Sequence, residues 1–153
     1  MKISVISLNQ VWENKEANLL LCEQYIKESN LKKADLIIFP EMTLTGFSIN
    51  IKNISEDREN SKTINSFKVL AKKYKIAVLF GVVIKNNKKA LNKSIFIDNQ
   101  GDILGEYAKI HPFSFLGEGK YFDAGESLTF VKYKDLNIGL SICYDLRFPE
   151  LYS

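Results

Sequence analysis

Cysteine and histidine are scarce in this chain of 153 residues: there are two cysteines, Cys22 and Cys143, and one histidine, His111. So few donors, so far apart, leave no group at metal-ligand spacing, and the expectation is a protein without metal or cofactor. Two distant cysteines also build no disulfide framework, and free thiols fit a reducing, cytoplasmic setting. No stretch approaches the roughly 18 consecutive apolar residues that a membrane span needs. The opening "MKISVISLNQVWENKEANLL" lacks the long apolar segment and small-residue cleavage site of a signal peptide. Charge of one sign is missing too: 21 Lys and Arg against 18 Asp and Glu leave +3, with no basic run. A nucleic-acid partner therefore has little support.

What is present is apolar and aromatic. Hydrophobic residues make up 46% of the chain, with ten Phe and seven Tyr, enough to fill the core of one domain of this length. "KISVISL" reads as a strand. "ENKEANLLLCEQYIKESN" has helical spacing through Ala17, Leu20, Leu21 and Tyr25. "ADLIIFP" is a continuous apolar run, the pattern of a strand covered on both faces and ended by Pro40. "TINSFKVLAKKYK" returns to helical period through Ile64, Phe67, Leu70, Ala71 and Tyr74, and "IAVLFGVVI" reads as another buried strand. The rhythm then changes. "ALNKSIFIDNQGDILGEYAK" predicts two strands around "DNQGD", and "LTFVKY" and "LNIGLSI" predict two more around "KDLN". Alternating strands and helices followed by hairpins predict a layered α/β fold with a mixed sheet.

Three places could carry chemistry. In "LNIGLSIC", Leu136, Ile138, Leu140 and Ile142 share one strand face, while Asn137, Gly139, Ser141 and Cys143 share the other. "YDLRFPE" then breaks the run, so Cys143 stands at the carboxyl end of a buried strand, where open α/β sheets tend to place ligands. Cys143 could equally be a small buried hydrophobe; Cys22, inside a helical pattern, reads as structural. Glu41 in "IIFPEMTLTGF" also follows a strand, where partial desolvation would suit a general base, although a loop glutamate is an ordinary rival. Lys109, His111 and Glu118 fall together in "EYAKIHPFSFLGEGKYFDAG", a long loop whose five aromatics argue against disorder. A cysteine nucleophile needs a base and an oxyanion partner. His111 could be that base, or Glu41 with Lys109 as the oxyanion partner; spacing does not choose.

Taken together, "FPEMTLTGF", "YAKIHPF" and "GLSICYDLRFPEL" resemble the nitrilase (carbon–nitrogen hydrolase) superfamily, over the whole chain and in the family's order. The tail "CYDLRFPEL" is most similar to the amidase branch that includes omega-amidase. The resemblance implies an α–β–β–α sandwich with mixed sheets, no cofactor and no metal. It implies a triad of Glu41, Lys109 and Cys143, with Glu118 as the second glutamate beside the lysine. The reaction implied is hydrolysis of a small amide to an acid and ammonia through a cysteine thioester. Tyr144 would lend its backbone N–H to the oxyanion. His111 becomes a loop residue, and a lowered thiol pKa would make Cys143 reactive. Arg147 could bind a substrate carboxylate or pair with Asp145 or Glu150. The alternatives are a related hydrolase of N-carbamoyl amines and an inactive remnant. Members of the superfamily exceed 200 residues and usually dimerise, so residues 1–153 are expected to be the N-terminal portion of one such domain, ending in a helix after the nucleophile.

Overall fold

The computed structural model describes residues 1–153, Leu116 by its backbone alone. Strand β1 (Ile3–Val5) leads to helix α1 (Lys15–Leu31), strand β2 (Leu36–Ile38), the single turn α2 (Ile51–Ile54) and helix α3 (Lys62–Tyr74). Strands β3 (Ala77–Asn86), β4 (Lys89–Ile97) and β5 (Ile103–Ala108) follow, then the hairpin β6 (Phe130–Tyr133) and β7 (Leu136–Gly139). Each long helix starts on a side-chain cap: Asn14 accepts from the N–H of Ala17 at 3.0 Å, and Ser61 from that of Ile64 at 3.1 Å.

The strands form a sheet in the order β1-β2-β3-β4-β5, parallel from β1 to β3 and antiparallel from β3 to β5. The mixed sheet thus follows from the sequence rhythm: helices separate the parallel strands, and short turns join the antiparallel ones. Helices α1 and α3 cover one face, where Ile26, Ile37, Phe67, Phe80 and Ile95 are fully or almost fully buried. On the other face lies the β6–β7 hairpin, with Val131, Tyr133, Leu140 and Ile142 packed on Leu36, Ala77, Phe96 and Tyr107. The "ADLIIFP" run is accordingly covered on both sides, Ile37 by helices and Leu36 by the hairpin. The result is an α/β fold of helices, mixed sheet and a second, two-stranded sheet. Phe130 on the hairpin's outer face is 68% exposed.

Three expectations are corrected here. The buried face of α1 runs through Asn18, Cys22, Ile26 and Ser29, while Leu20 is 65% exposed. Leucine fills three successive positions, so its pattern does not fix the phase; the amide of Asn18 does, donating to the Val11 and Leu44 carbonyls at 2.7 Å each. The strand expected to reach Cys143 stops at Gly139, and Leu140 instead donates to the Thr129 carbonyl at 3.0 Å. The helix expected after Cys143 is a pair of 3₁₀ turns, Cys143–Arg147 and Pro149–Tyr152, divided at Phe148 and Pro149. Proline fixes its own φ and disfavours the helical region for the residue before it.

Candidate active site

Glu41 sits on the loop after β2, and a glycine decides how close that loop can come. A Cβ on Gly81 of β3 would lie 2.3 Å from the Met42 nitrogen and 3.0 Å from Glu41 backbone carbons, so only glycine admits the loop. Thr43 locks the approach, its N–H reaching the Gly81 carbonyl at 3.1 Å and its hydroxyl accepting from the Gly81 N–H at 2.9 Å. Met42 takes a left-handed φ of 47° and is buried, which turns Glu41 back over the sheet.

Lys109 is the first residue beyond β5. Its N–H donates to the Asn92 carbonyl at 2.9 Å, its carbonyl accepts from Gly125 at 2.8 Å, and its side chain is 2% exposed. The ammonium reaches Glu41 Oε1 at 2.8 Å, and Glu118 Oε2 and Oε1 at 3.0 and 3.2 Å. Burial works against its charge, but the two carboxylates outweigh that and hold its pKa above the ordinary lysine value. Glu118 is completely buried in a short 3₁₀ turn and also accepts from the Phe113 N–H. The loop that carries these residues is ordered by such turns and by Phe122, which is buried beside β4.

Cys143 opens the first 3₁₀ turn with a left-handed φ of 47°, unusual for a side chain larger than glycine, and its thiol side is exposed. Holding a residue there costs energy, and sites for ligands and catalysis are where such strain collects. A buried aspartate supplies the hold. Asp145 accepts from the N–H of Ile142 at 3.0 Å, the Tyr107 hydroxyl at 2.7 Å, and the N–H and Nδ1 of His111 at 2.9 and 3.0 Å. Burial and the Asp145 carboxylate push the Tyr107 phenol up, so it stays a donor. His111 stacks on Phe148 at 3.6 Å with its Nδ1 committed to Asp145, which leaves it a framework residue.

The expected lowering of the thiol pKa is overturned. Burial raises it, the negative charge of Glu41 raises it further, and Lys109 offsets this only in part. Cys143 is therefore a resting thiol that faces a carboxylate, the arrangement of a nucleophile and its base rather than of a free thiolate. Cys22 is wholly buried, and burial pushes its pKa up to about 12. Iodoacetamide should modify Cys143 at least about tenfold faster than Cys22, on exposure and ionisation together. Mass spectrometry of partially alkylated protein measures the ratio; comparable rates would remove Cys143 as a candidate nucleophile.

A cavity of about 100 Å³ reaches the thiol between Phe39, Glu41, Gly81, Ser94, Ser141 and Cys143. That is small beside the roughly 300–1,000 Å³ typical of sites for drug-sized ligands. Three larger grooves, about 360 Å³ along Leu19, Leu20 and Val69, about 320 Å³ along Lys15 and Glu56, and about 280 Å³ along Phe130 and Tyr152, hold no cysteine. Tyr144 provides the second N–H of the turn, a position without a partner inside a 3₁₀ turn. Arg147 is exposed and, among the described residues, makes no ion pair with Asp145 or Glu150; Asp145 already accepts from four donors. Among the described residues there is no cluster of metal-ligating side chains and no helix long and apolar enough to cross a membrane.

Two residues at the site were not foreseen. Asn92 is buried on β4 and bridges both glutamates, and Asp145 anchors the turn at Cys143. Asn92 does leave a trace in "ALNKSIF", where it sits in phase with Ala90, Ser94 and Phe96 on the inward face. An amide at such a position needs a polar partner inside.

An α/β layered protein with an exposed cysteine on a strained turn, set against a buried lysine between two glutamates, is the class that fold and site define. The sequence profile of the carbon-nitrogen hydrolase family matches residues 2–153, and the chain belongs to that family. It is 30% identical over 155 aligned residues to a hydrolase of the agr operon of Staphylococcus aureus, covering 99% of this chain and 59% of that protein. It is 28% identical over 149 residues to the 2-oxoglutaramate amidase of Bacillus subtilis, covering 97% and 57%. Among solved structures, a CN-hydrolase superfamily protein from Xanthomonas campestris superposes with a TM-score of 0.88 at 26% identity, over 97% of this chain and 55% of that one. An amidase from Nesterenkonia shares the fold, with a TM-score of 0.89 at 19% identity over 99% and 58%. This chain therefore spans a little over half the length of these relatives.

Proposed function

We propose that residues 1–153 carry the catalytic centre of an amidase that cleaves a small, non-peptide carbon–nitrogen bond through Cys143. The observation that carries the reading is the left-handed Cys143 facing a carboxylate that is itself hydrogen-bonded to a buried ammonium. Glu41 takes the thiol proton as Sγ bonds to the amide carbon. The resulting oxyanion is met by the Lys109 ammonium and the Tyr144 N–H. When the carbon–nitrogen bond breaks, the proton on Glu41 leaves with ammonia, and the acyl group stays as a thioester. Glu41 then deprotonates a water, which attacks the thioester carbon, and the thiol is restored as the acid departs. Glu118 keeps the lysine charged and aimed.

For substrate, the proposal is an omega-amide of a 2-oxo dicarboxylic acid. Arg147 stands four residues beyond the nucleophile, exposed and, among the described residues, without an ionic partner, so its guanidinium is available to a carboxylate at the far end of such a molecule. The relative named 2-oxoglutaramate amidase supports the same chemistry. The test is ammonia release from 2-oxoglutaramate, with Cys143→Ala as the blank. Release above the blank is the expected result; none from this or any simple amide would overturn the amidase reading. Carbon dioxide appearing with the ammonia would instead mark a carbamoyl substrate. Arg147→Ala should raise KM for the carboxylate-bearing amide about 10- to 100-fold, the value of a charge-assisted pair, and leave a neutral amide nearly unaffected. Equal changes for both substrates would remove Arg147 from the substrate site.

A further inference from the structure

The geometry points to Asn92 as a positioning residue that holds Glu41 and Glu118 together and decides which oxygen of Glu41 acts as base. This rests on the reading of Glu41 as the base for Cys143. The side-chain amide of Asn92 is buried on β4, and Nδ2 donates to Glu41 Oε1 at 2.6 Å and to Glu118 Oε1 at 3.3 Å. Oε1 of Glu41 also takes the Lys109 ammonium at 2.8 Å. Among the described residues no nitrogen donor reaches Oε2 of Glu41, which is left open to the thiol proton.

The charge balance explains why an amide is needed. Two carboxylates share one ammonium, so the cluster carries an uncompensated negative charge, and like charges in a buried site drive one group to take up a proton. Among the described residues, the only other side-chain donor that touches both glutamates is the NH₂ of Asn92. Its carbonyl oxygen, by contrast, is buried and finds no hydrogen-bond donor among the described residues. An orphaned carbonyl costs stability, and turning the amide over would only aim that oxygen at the two carboxylates. The side chain is thus poorly matched to its surroundings as packing and well matched as a double donor.

The test uses Asn92→Leu, close in size but unable to donate, and Asn92→Asp, equal in shape. Thermal unfolding of each is followed from about pH 5 to about pH 8 beside the wild type, because a change in proton binding appears as a change in stability with pH. Without the donor, one glutamate holds a proton in the folded state, so the deficit in Tm should be small at the acid end and grow by several degrees toward pH 8. The aspartate variant, with a third carboxylate, should show the steeper trend. In amide turnover, kcat should fall roughly tenfold or more through misplacement of the base, with KM little changed. A deficit in Tm that is the same at both ends of the range would overturn the proposal, as would an unchanged kcat in Asn92→Leu. If the wild type releases no ammonia from any amide, the amidase reading fails, while the pH dependence of Tm still decides whether Asn92 holds the two carboxylates.

Discussion

Replacing Glu41 with glutamine should stop amide hydrolysis while making the Cys143 thiol easier to ionise. Turnover should drop by roughly 10²–10⁴-fold, the usual contribution of a general base, because glutamine can accept no proton in either half of the reaction. The second effect runs the other way. The thiol is raised first by burial and then by the Glu41 charge, with Lys109 pulling it down. Removing the carboxylate removes an upward influence and leaves the downward one, so the midpoint of alkylation against pH should move to lower pH. Steady-state kinetics and a pH series of iodoacetamide rates measure the two together. A variant with full turnover would refute the role of Glu41, and a midpoint moving upward would refute the electrostatic account of the thiol.

Lys109→Met is expected to damage the fold severely. Lys109 is 2% exposed and Glu118 is fully buried, so the substitution leaves two carboxylates facing each other with no cation between them. Breaking a buried pair in this way costs about 3–5 kcal/mol. That is a large share of the roughly 5–15 kcal/mol by which domains are stable. The contribution has a definite pH window. The folded-state pKa of Lys109 is raised, so its stabilisation is complete below the ordinary lysine pKa and is lost as pH rises through the higher folded value. In Lys109→Met the remaining carboxylates can relieve their repulsion by taking up a proton, so the variant should regain part of its stability on acidification. Urea unfolding at several pH values would measure both effects. A cost below about 1 kcal/mol at neutral pH would mean that the cluster is solvated enough to tolerate the loss.

The parts of the fold legible in the sequence are those governed by local period and punctuation. The inward residues of α3, from Ile64 through Phe67 to Ala71, are where helical spacing puts them, and "DNQGD" turns between β4 and β5. Alternation also held past the end of β7, since Leu140 and Ile142 are buried while Ser141 and Cys143 are exposed. What failed was whatever depends on a distant partner. The phase of α1 is set by Asn18 reaching Leu44, 26 residues on. Of the alternatives for Arg147, the pairing with Asp145 could not be judged from sequence, because Tyr107 and His111 engage that carboxylate from 38 and 34 residues away. The thiol was expected to be acidified by Lys109, but burial and Glu41 prevail, a balance visible only once three segments of chain are brought together.

That dependence on distance has a consequence for the life of the chain. The left-handed turn at Cys143 is not a property of "SICYDLR". Besides the local N–H of Ile142, Asp145 is held by donors on a segment made much earlier, Tyr107 and His111, and the turn leans on them. A cysteine in an unfolded or half-folded chain is an ordinary thiol with no base beside it and no preset angle of attack. On the proposed reading, Cys143 meets its base only where the Glu41 loop, the segment after β5 and the Cys143 turn are docked together, so a chain that misfolds would also be one that cannot form the thioester. Folding acts here as the safety catch on the chemistry.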